Sequence, residues 1–319
     1  MRKTLKTLLN KIIIFFMAMS GMLVALFAMS ANETFRYSMA EYLECEDYLT
    51  KNNGPDEISG WIIKVSENND YTKLILGDSV CCQMFSGLQW CNNEVCIAGS
   101  NGAVTMAGQY ILLREFIENH SNVSDVWLVV LPISLQRYVD KTVGYQYVVM
   151  PFVLNDKIAF LDDNTIETIE KSFGKYSMEP KFVEFLDKSA ISRKIYLNYI
   201  SNHFNDPNES WPIADISSQY IIKMKKLCDD NGITMHLLPA PSPDDEHTTE
   251  FINAFKLSYM NSELYYYFPT YIDNISTFPE EQFGDGTHFT EDYANQEHYN
   301  DIIKEMYSDD SLINFIRFE

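Results

Sequence analysis

The sequence predicts an α/β protein built on a doubly wound, mostly parallel sheet of five strands. Short apolar runs end at polar or glycine residues, as buried parallel strands do, and longer segments with apolar residues at helical spacing lie between them. Alternating strands and helices with right-handed crossovers give a parallel sheet covered by helices on both faces. The five predicted strands are 72–78, 94–98, 123–132, 233–239 and 264–272.

The first thirty-one residues predict a segment separate from that sheet. Residues 12–31 are uncharged and match the thickness of a bilayer's hydrocarbon core. Basic residues before the run and acidic residues after it put the N-terminus in the cytoplasm and the remaining chain outside. Because Ala28-Met29-Ser30 also fits a cleavage site, 1–31 is either a membrane anchor or a signal peptide. The domain is then extracytoplasmic, and secreted if the leader is cleaved. The flanking charges are Arg2, Lys3, Lys6 and Lys11 before the run and Glu33, Glu41, Glu44, Glu46 and Asp47 after it.

The composition limits the classes of partner. The chain has 319 residues, of which 24 are basic and 45 acidic, so its formal net charge is −21. Such a surface repels nucleic acid and anionic lipid head groups, and we expect neither as a partner. The expected contact with a membrane is through the N-terminal helix alone. Hydrophobic residues make up 46% of the chain, which is enough to fill a sizeable core.

Six cysteines leave two interpretations open. Export permits a disulfide among the four that follow residue 79 closely, and free buried thiols fit the sequence equally well. No Cys-x-x-Cys pair or Cys/His spacing indicates zinc, so we expect no metal and no cofactor. The four clustered cysteines are Cys81, Cys82, Cys91 and Cys96, and the other two are Cys45 and Cys228.

The remaining chain divides into a lead-in and one domain. Residues 32–69 predict a short helix, a stalk and a lead-in strand, and 70–319 predict the domain. Within the domain, 134–175 sustains no period, and a connection of that length is usually functional or structured. We expect a lid or substrate wall beside Ser79. Its aromatic residues either stack on sugar rings or pack a small satellite core, and core packing is the expectation for any single tyrosine. Helices are predicted at about 80–90, 105–119, 179–203, 217–231, 244–259 and 291–307.

The first candidate functional residue is Ser79, which follows the strand Lys73-Leu74-Ile75-Leu76 through Gly77-Asp78. In open α/β sheets, ligands and chemistry collect at the carboxyl edge, where this serine falls. A glycine two residues earlier allows the tight turn that exposes the hydroxyl. The alternative is that Ser79 only caps the next helix.

The second candidate feature is a loop containing Asp285 and His288, far along the chain. A serine hydroxyl is a poor nucleophile until a neighbouring base removes its proton. If the loop folds over the end of the first strand, His288 can take the Ser79 proton and Asp285 can hold the imidazole. The alternatives are a surface histidine and a turn-forming aspartate.

These residues carry a family resemblance. Gly77-Asp78-Ser79 and Asp285-x-x-His288 resemble the first and last sequence blocks of the SGNH/GDSL hydrolase superfamily, and 97–102 resembles its second block. The resemblance covers roughly residues 70–310 and implies a flavodoxin-like three-layer α/β/α sandwich, the SGNH hydrolase fold. It further implies a Ser-His-Asp catalytic site and an oxyanion hole made by the N–H groups of Ser79 and Gly102.

The third block of that family, Gly-x-Asn-Asp, is missing. After the strand at 123–132 the chain continues Ile-Ser-Leu-Gln, so the side-chain oxyanion donor stays open between Asn101, Ser134 and Gln136. This departure is similar to the membrane-anchored SGNH-like proteins of bacterial cell-envelope polysaccharide modification, of the DltD, AlgX and AlgJ type.

The resemblance implies an exported serine esterase or O-acyltransferase that acts on O-acyl groups, acetyl above all, of a cell-surface polysaccharide. A membrane-bound O-acyltransferase is the implied protein partner. One alternative is a catalytically silent SGNH-like subunit that binds glycan or organises a membrane complex. The other is a surface-interaction protein that binds glycan through the aromatic segment at 138–160.

Overall fold

A computed structural model describes residues 2–30, 55–67, 69–100, 105–140, 144–188, 190–203 and 211–318, with isolated positions between 32 and 42. The predictions for the stalk, Cys45, Asn101 and Gly102 fall outside these residues. The helices are α1 (Arg2–Ser30), α2 (Pro55–Ser66), α3 (Ser79–Phe85), α4 (Met106–Asn119), α5 (Met150–Leu154), α6 (Asp163–Phe173), α7 (Pro180–Asp187), α8 (Ala190–His203), α9 (Asp215–Asp230), α10 (Glu246–Met260), α11 (Glu263–Tyr267) and α12 (Gln296–Met306).

The predicted α/β class and parallel sheet are confirmed. The main sheet consists of β1 (Lys73–Gly77), β2 (Val95–Gly99), β3 (Asp125–Val130) and β4 (Thr234–Pro239). They are all parallel and lie in the order β2-β1-β3-β4. This is the order of the flavodoxin-like class, in which the carboxyl ends of β1 and β3 flank the switch point that binds ligands.

The sheet has four strands rather than five. The segment predicted as the fifth strand, 264–272, forms α11 and the 3-10 turn Pro269–Tyr271. Its buried side chains are Leu264, Phe268, Tyr271 and Ile272, which recur at helical spacing, whereas Tyr266 is 81% exposed. A run of tyrosines favours a strand by intrinsic preference, but the pattern of burial here is helical.

Two cores cover the faces of the sheet. Alternate strand residues point to opposite faces, so Leu74 and Leu76 join one core while Ile75 and Trp127 join the other. Helices α2, α4 and α9 pack on the first face, and α3 and α12 pack on the second. The three layers that result are those the sequence predicts. Two further pairs of short strands lie outside the sheet: Gln89–Trp90 with Ile316–Arg317, and Ser242–Asp244 with Thr277–Pro279.

Two segments differ from their predictions because tertiary packing outweighs local pattern. The lead-in segment predicted as a strand forms helix α2, whose residues Ile58, Ile62 and Val65 are buried at helical spacing. The segment 134–175 is mainly helical, and the rings of Tyr145 and Phe152 are completely buried in the first core. These two aromatic residues therefore pack the core and are not available for stacking on a sugar.

Helix α1 differs from the others because no described part of the chain buries its apolar window. Its window Lys6–Ala25 is apolar and 0% buried, long enough to cross a membrane or to act as a signal sequence. At about 1.5 Å per residue, the helix is longer than the hydrocarbon core is thick.

The described cysteines are free thiols, in agreement with the unbridged interpretation. Cys81, Cys96 and Cys228 are buried, and burial raises the pKa of Cys96 to about 11 and that of Cys228 to about 12. Thiols that resist ionisation in this way are poor nucleophiles.

Candidate active site

Ser79 is the first residue of α3 and lies at the carboxyl end of β1. The cap of this helix is the preceding residue, Asp78, whose carboxylate accepts the backbone N–H groups of Val80 at 3.2 Å and Cys81 at 3.3 Å. The alternative interpretation of Ser79 as the helix cap is therefore wrong. Its hydroxyl is available for a different contact.

Gly77 explains how the helix can begin so close to the sheet. A β-carbon at this position would lie 2.1 Å from the Val129 carbonyl oxygen and 2.4 Å from the Cys81 β-carbon. Both distances are shorter than van der Waals contact, so only glycine fits here. The absence of a side chain lets the chain turn from β1 into α3 within two residues and leaves Ser79 at the edge of the sheet.

The structure brings Ser79, His288 and Asp285 together, although Ser79 and His288 are 209 positions apart. His288 Nε2 lies 2.6 Å from Ser79 Oγ, and His288 Nδ1 lies 2.7 Å from Asp285 Oδ2. With the ring proton on Nδ1, the imidazole donates to Asp285 and accepts the hydroxyl proton of Ser79. The side chains of His288 and Asp285 are 37% and 60% exposed, so the array opens to solvent.

The loop that carries His288 is held in shape by Asp285. The carboxylate accepts the N–H groups of Thr287 at 3.0 Å and His288 at 2.7 Å, while Gly286 turns the chain with φ +74°. Burial opposes ionisation of Asp285, but the hydrogen bonds from His288 and Thr287 outweigh it and lower the pKa of this carboxyl. Asp285 therefore stays charged at neutral pH and can stabilise a protonated imidazole.

One further contact closes the loop, and a second attaches it to the domain. Phe283 and Phe289 form an antiparallel bridge, and their rings stack with centroids 4.7 Å apart. The N–H of Phe289 donates to Gln83 Oε1 on α3 at 3.3 Å. This side-chain contact joins the loop directly to the helix that begins with Ser79.

Asp78 has a structural role that the sequence analysis missed. Its second carboxylate oxygen accepts the N–H of Leu131 at 2.8 Å and the hydroxyl of Ser134 at 2.7 Å, which joins the turn after β1 to the turn after β3. Burial raises the pKa of Asp78, and the hydrogen bonds to its carboxyl only partly offset this effect. An aspartate directly before a helix is a recognisable cap, but partners 53 and 56 positions away leave no local signal.

Two of the three candidates for the third oxyanion donor, Ser134 and Gln136, lie in the described residues and have different surroundings. Ser134 is buried and donates its one hydroxyl proton to Asp78, so in this geometry it has none to give to a substrate. Gln136 belongs to the same 3-10 turn, Pro132–Gln136, and is partly exposed. Asn101 and Gly102 lie outside the described residues. The buried Gln109 donates its amide to the Gly77 carbonyl at 2.9 Å, a contact the sequence analysis also missed.

The fold and the site together define an α/β protein that carries a hydrogen-bonded serine–histidine–aspartate array at the carboxyl edge of its parallel sheet. In the described part of the chain, no group of three or more His, Cys, Asp or Glu side chains is arranged to hold a metal ion.

Comparison with known proteins gives little beyond this. No protein-family model matches the chain, and no curated protein matches it. Among solved structures, it is similar to the crystal structure of a putative acylhydrolase from Bacteroides fragilis NCTC 9343, with 12% sequence identity over 80% of this chain and 94% of the other. The TM-score of 0.34 is too low for the match to carry an argument.

Proposed function

We propose that this protein is a serine hydrolase or acyltransferase that acts on ester bonds, with Ser79 as nucleophile, His288 as general base and acid, and Asp285 as the group that orients the imidazole. The observation that carries the proposal is the contact of 2.6 Å between Ser79 Oγ and His288 Nε2, with Asp285 on the other ring nitrogen. A nucleophile, a base and an orienting carboxylate within hydrogen-bond reach are what covalent catalysis by a hydroxyl requires.

The first half of the reaction forms a serine ester. Ser79 Oγ attacks the carbonyl carbon of an ester while His288 Nε2 takes the hydroxyl proton. The tetrahedral intermediate then expels its alcohol oxygen, which receives the same proton from His288. Asp285 stabilises the imidazolium while it carries the proton. The alcohol leaves, and the acyl group remains on Ser79.

The second half transfers the acyl group to an acceptor. A water molecule or a sugar hydroxyl loses its proton to His288 and attacks the serine ester, and the proton returns to Ser79 Oγ as the ester breaks. With water the product is a carboxylic acid and the protein is an esterase. With a sugar hydroxyl the product is a new ester and the protein is an O-acyltransferase.

The oxyanion formed in each half needs hydrogen-bond donors. We assign the Ser79 N–H, at the start of α3, to this function and, from the family resemblance, the N–H of Gly102. Each such donor contributes about 3 kcal/mol to the transition state. Ser134 is a weak candidate because its proton goes to Asp78. The third donor is then Asn101, Gln136 or none, and an enzyme with none is slow on simple esters.

For the substrate we propose O-acyl groups of a cell-surface polysaccharide, with a membrane-bound O-acyltransferase as partner. The SGNH-like sequence blocks and the apolar helix α1, followed by acidic residues, support this assignment. They favour a domain held outside the membrane, where such glycans are found. The choice of substrate rests on family analogy, and the chemistry rests on the site.

The test is covalent labelling of the purified full-length protein in detergent with a fluorophosphonate probe, which reacts only with activated serines. We expect labelling of the wild type and its loss in Ser79→Ala. Ser134→Ala is the matched control, because it removes a second serine at the same edge of the sheet and should keep the label. Labelling that survives in Ser79→Ala, or no labelling of folded wild type, would overturn the enzymatic proposal.

One observation favours the alternative of a catalytically silent subunit. The side-chain oxyanion donor of the third block is missing, and Ser134, which follows the corresponding strand, is bound to Asp78. A silent subunit would bind acylated glycan with equal affinity in the wild type and in Ser79→Ala, and neither protein would react with the probe.

A further inference from the structure

A small pocket lies beside the array, where the segments after β3 and β4 meet the His288 loop. Apolar side chains form more than half of its lining, and the loop residues Gly286 and Thr287 close one side. The apolar lining residues are Leu131, Pro132, Ile133, Pro243, Phe251 and Ile252.

The pocket is joined to the reacting groups on two sides. Thr287 lines it and directly precedes His288 in the chain. Leu131 lines it on the other side, and its N–H is hydrogen-bonded at 2.8 Å to Asp78, the residue before Ser79. The pocket therefore lies between the loop that carries His288 and the turn that is hydrogen-bonded to Asp78.

The size of the pocket limits what it can hold. Its volume is about 30 Å³, and a single enclosed water molecule needs roughly 10–15 Å³. Two or three heavy atoms fill it. Phe251 and Ile252 are only 8% and 7% exposed, and the Phe251 ring is held edge-on by Trp211 at 6.4 Å. Because both side chains are packed, the pocket cannot lengthen without a change in the core.

We propose that this pocket binds the alkyl part of the acyl group and restricts the protein to short acyl esters, acetyl and propanoyl. This inference rests on the proposed function, since it assigns the acyl side of the same ester. The lining also includes the polar residues Ser242, His247, Thr248 and Thr287. A longer chain would have to displace Phe251 or leave its methylene groups in water.

The experiment compares 4-nitrophenyl acetate, butanoate, hexanoate and octanoate as substrates of the full-length protein. For the wild type we expect kcat/KM to fall by at least about tenfold from acetate to hexanoate, since a misfitting methylene group in an apolar pocket costs tenfold or more. Phe251→Ala should raise the ratio of hexanoate to acetate kcat/KM by at least about tenfold. Phe251→Trp should lower the same ratio.

Two further variants keep the test decisive. Ile133 is 44% exposed, so Ile133→Ala widens the pocket with little loss of stability and should raise the ratio even if Phe251→Ala does not fold. Leu257 lies on the same helix as Phe251, is 63% exposed and does not line the pocket. Leu257→Ala is the matched control and should leave the ratio unchanged.

The outcomes separate the two proposals. If the wild type turns over esters and Ile133→Ala and Phe251→Trp leave the ratio unchanged, the acyl pocket is refuted while the catalytic proposal stands. The same holds if these variants change the preference for the alcohol part of the ester instead. If folded wild type neither turns over any ester nor reacts with a fluorophosphonate, both proposals fall.

Discussion

Two histidine–aspartate pairs in the described part of the chain have a ring nitrogen within 3.1 Å of the carboxylate, and they differ in what the second ring nitrogen meets. In the first, His288 binds Asp285 through Nδ1 at 2.7 Å and Ser79 through Nε2 at 2.6 Å. In the second, His236 of β4 binds Asp310 through Nδ1 at 3.1 Å. Its Nε2 faces Asp125 at 3.8 Å, beyond hydrogen-bond reach. Only in the first pair does the second ring nitrogen of the histidine contact a hydroxyl group.

The surroundings of the second pair point to a structural role. The His236 ring stacks on Trp127 at 5.1 Å, and the Trp127 indole donates to Asp310 at 2.9 Å. Asp310 thereby links the segment after α12 to strands β3 and β4. The comparison shows that an aspartate beside a histidine is not by itself a sign of the proposed site. The third partner and access from solvent distinguish the two, since the His288 side chain is 37% exposed and that of His236 21%.

We expect the largest difference in kcat/KM between variants of the two histidines. His288→Ala should lower kcat/KM for 4-nitrophenyl acetate by at least about 10³-fold, because Ser79 loses its base. His236→Asn should change kcat/KM by less than about threefold and should lower the midpoint of thermal unfolding. Equal losses of activity in both variants would show that the two pairs do not differ in the way the geometry indicates.

Asp285 should be the next most sensitive position. Asp285→Asn should reduce kcat/KM by about 10²- to 10⁴-fold, because a neutral amide cannot stabilise the imidazolium and favours the wrong tautomer. Its side chain is 60% exposed, so the midpoint of thermal unfolding should hardly change. Circular dichroism on the same preparation checks this. Activity close to the wild type would remove Asp285 from the proposed site.

Asp310 should matter for stability and not for activity. Burial opposes its ionisation, but hydrogen bonds from His236, the Leu312 N–H and Trp127 lower the pKa of this carboxyl. A carboxyl with a lowered pKa stabilises the fold above its unfolded pKa of about 3.9, and this stabilisation is lost as the pH falls through the folded value.

Asp310→Asn should therefore reduce the free energy of unfolding by about 1–3 kcal/mol at pH 7. The difference from the wild type should shrink as the pH falls below about 4. Urea denaturation of both proteins at several pH values measures it. A difference that is constant with pH would mean that the Asp310 charge contributes nothing.

The smallest effect on activity is expected at Ser134. Ser134→Ala should change kcat/KM by less than about fivefold, because its proton goes to Asp78 and not to a substrate. It should cost about 1–2 kcal/mol of stability, since Asp78 loses one of four hydrogen-bond donors. A loss of activity of about 10²-fold or more would instead identify Ser134 as an oxyanion donor.

The sequence predicted the features that local pattern controls. The four strands of the main sheet lie where apolar runs end at Gly77, Gly99 and comparable positions, because buried parallel strands are apolar on both faces. The contact between Ser79 and His288 was predicted from two short motifs at opposite ends of the domain. The prediction of a strand at 264–272 was wrong because the β preference of its tyrosines competes with a helical spacing of buried residues.

The features that sequence could not predict depend on contacts distant along the chain. The burial of Tyr145 and Phe152 follows from packing against the helices of the first core, which no local period records. Two of the four hydrogen bonds of Asp78 also depend on a turn more than fifty positions away. In both cases the residue type is visible in the sequence, and its surroundings are decided by the tertiary fold.

The unbridged thiols have a practical consequence for the maturation of the domain. Since the five described cysteines form no cross-link, this part of the chain reaches its final shape without an oxidant or an isomerase. It should therefore fold equally well in the reducing cytosol of an expression host. Cys91 is the exposed one among the five, so a maleimide dye added under gentle conditions should react there first among the described cysteines.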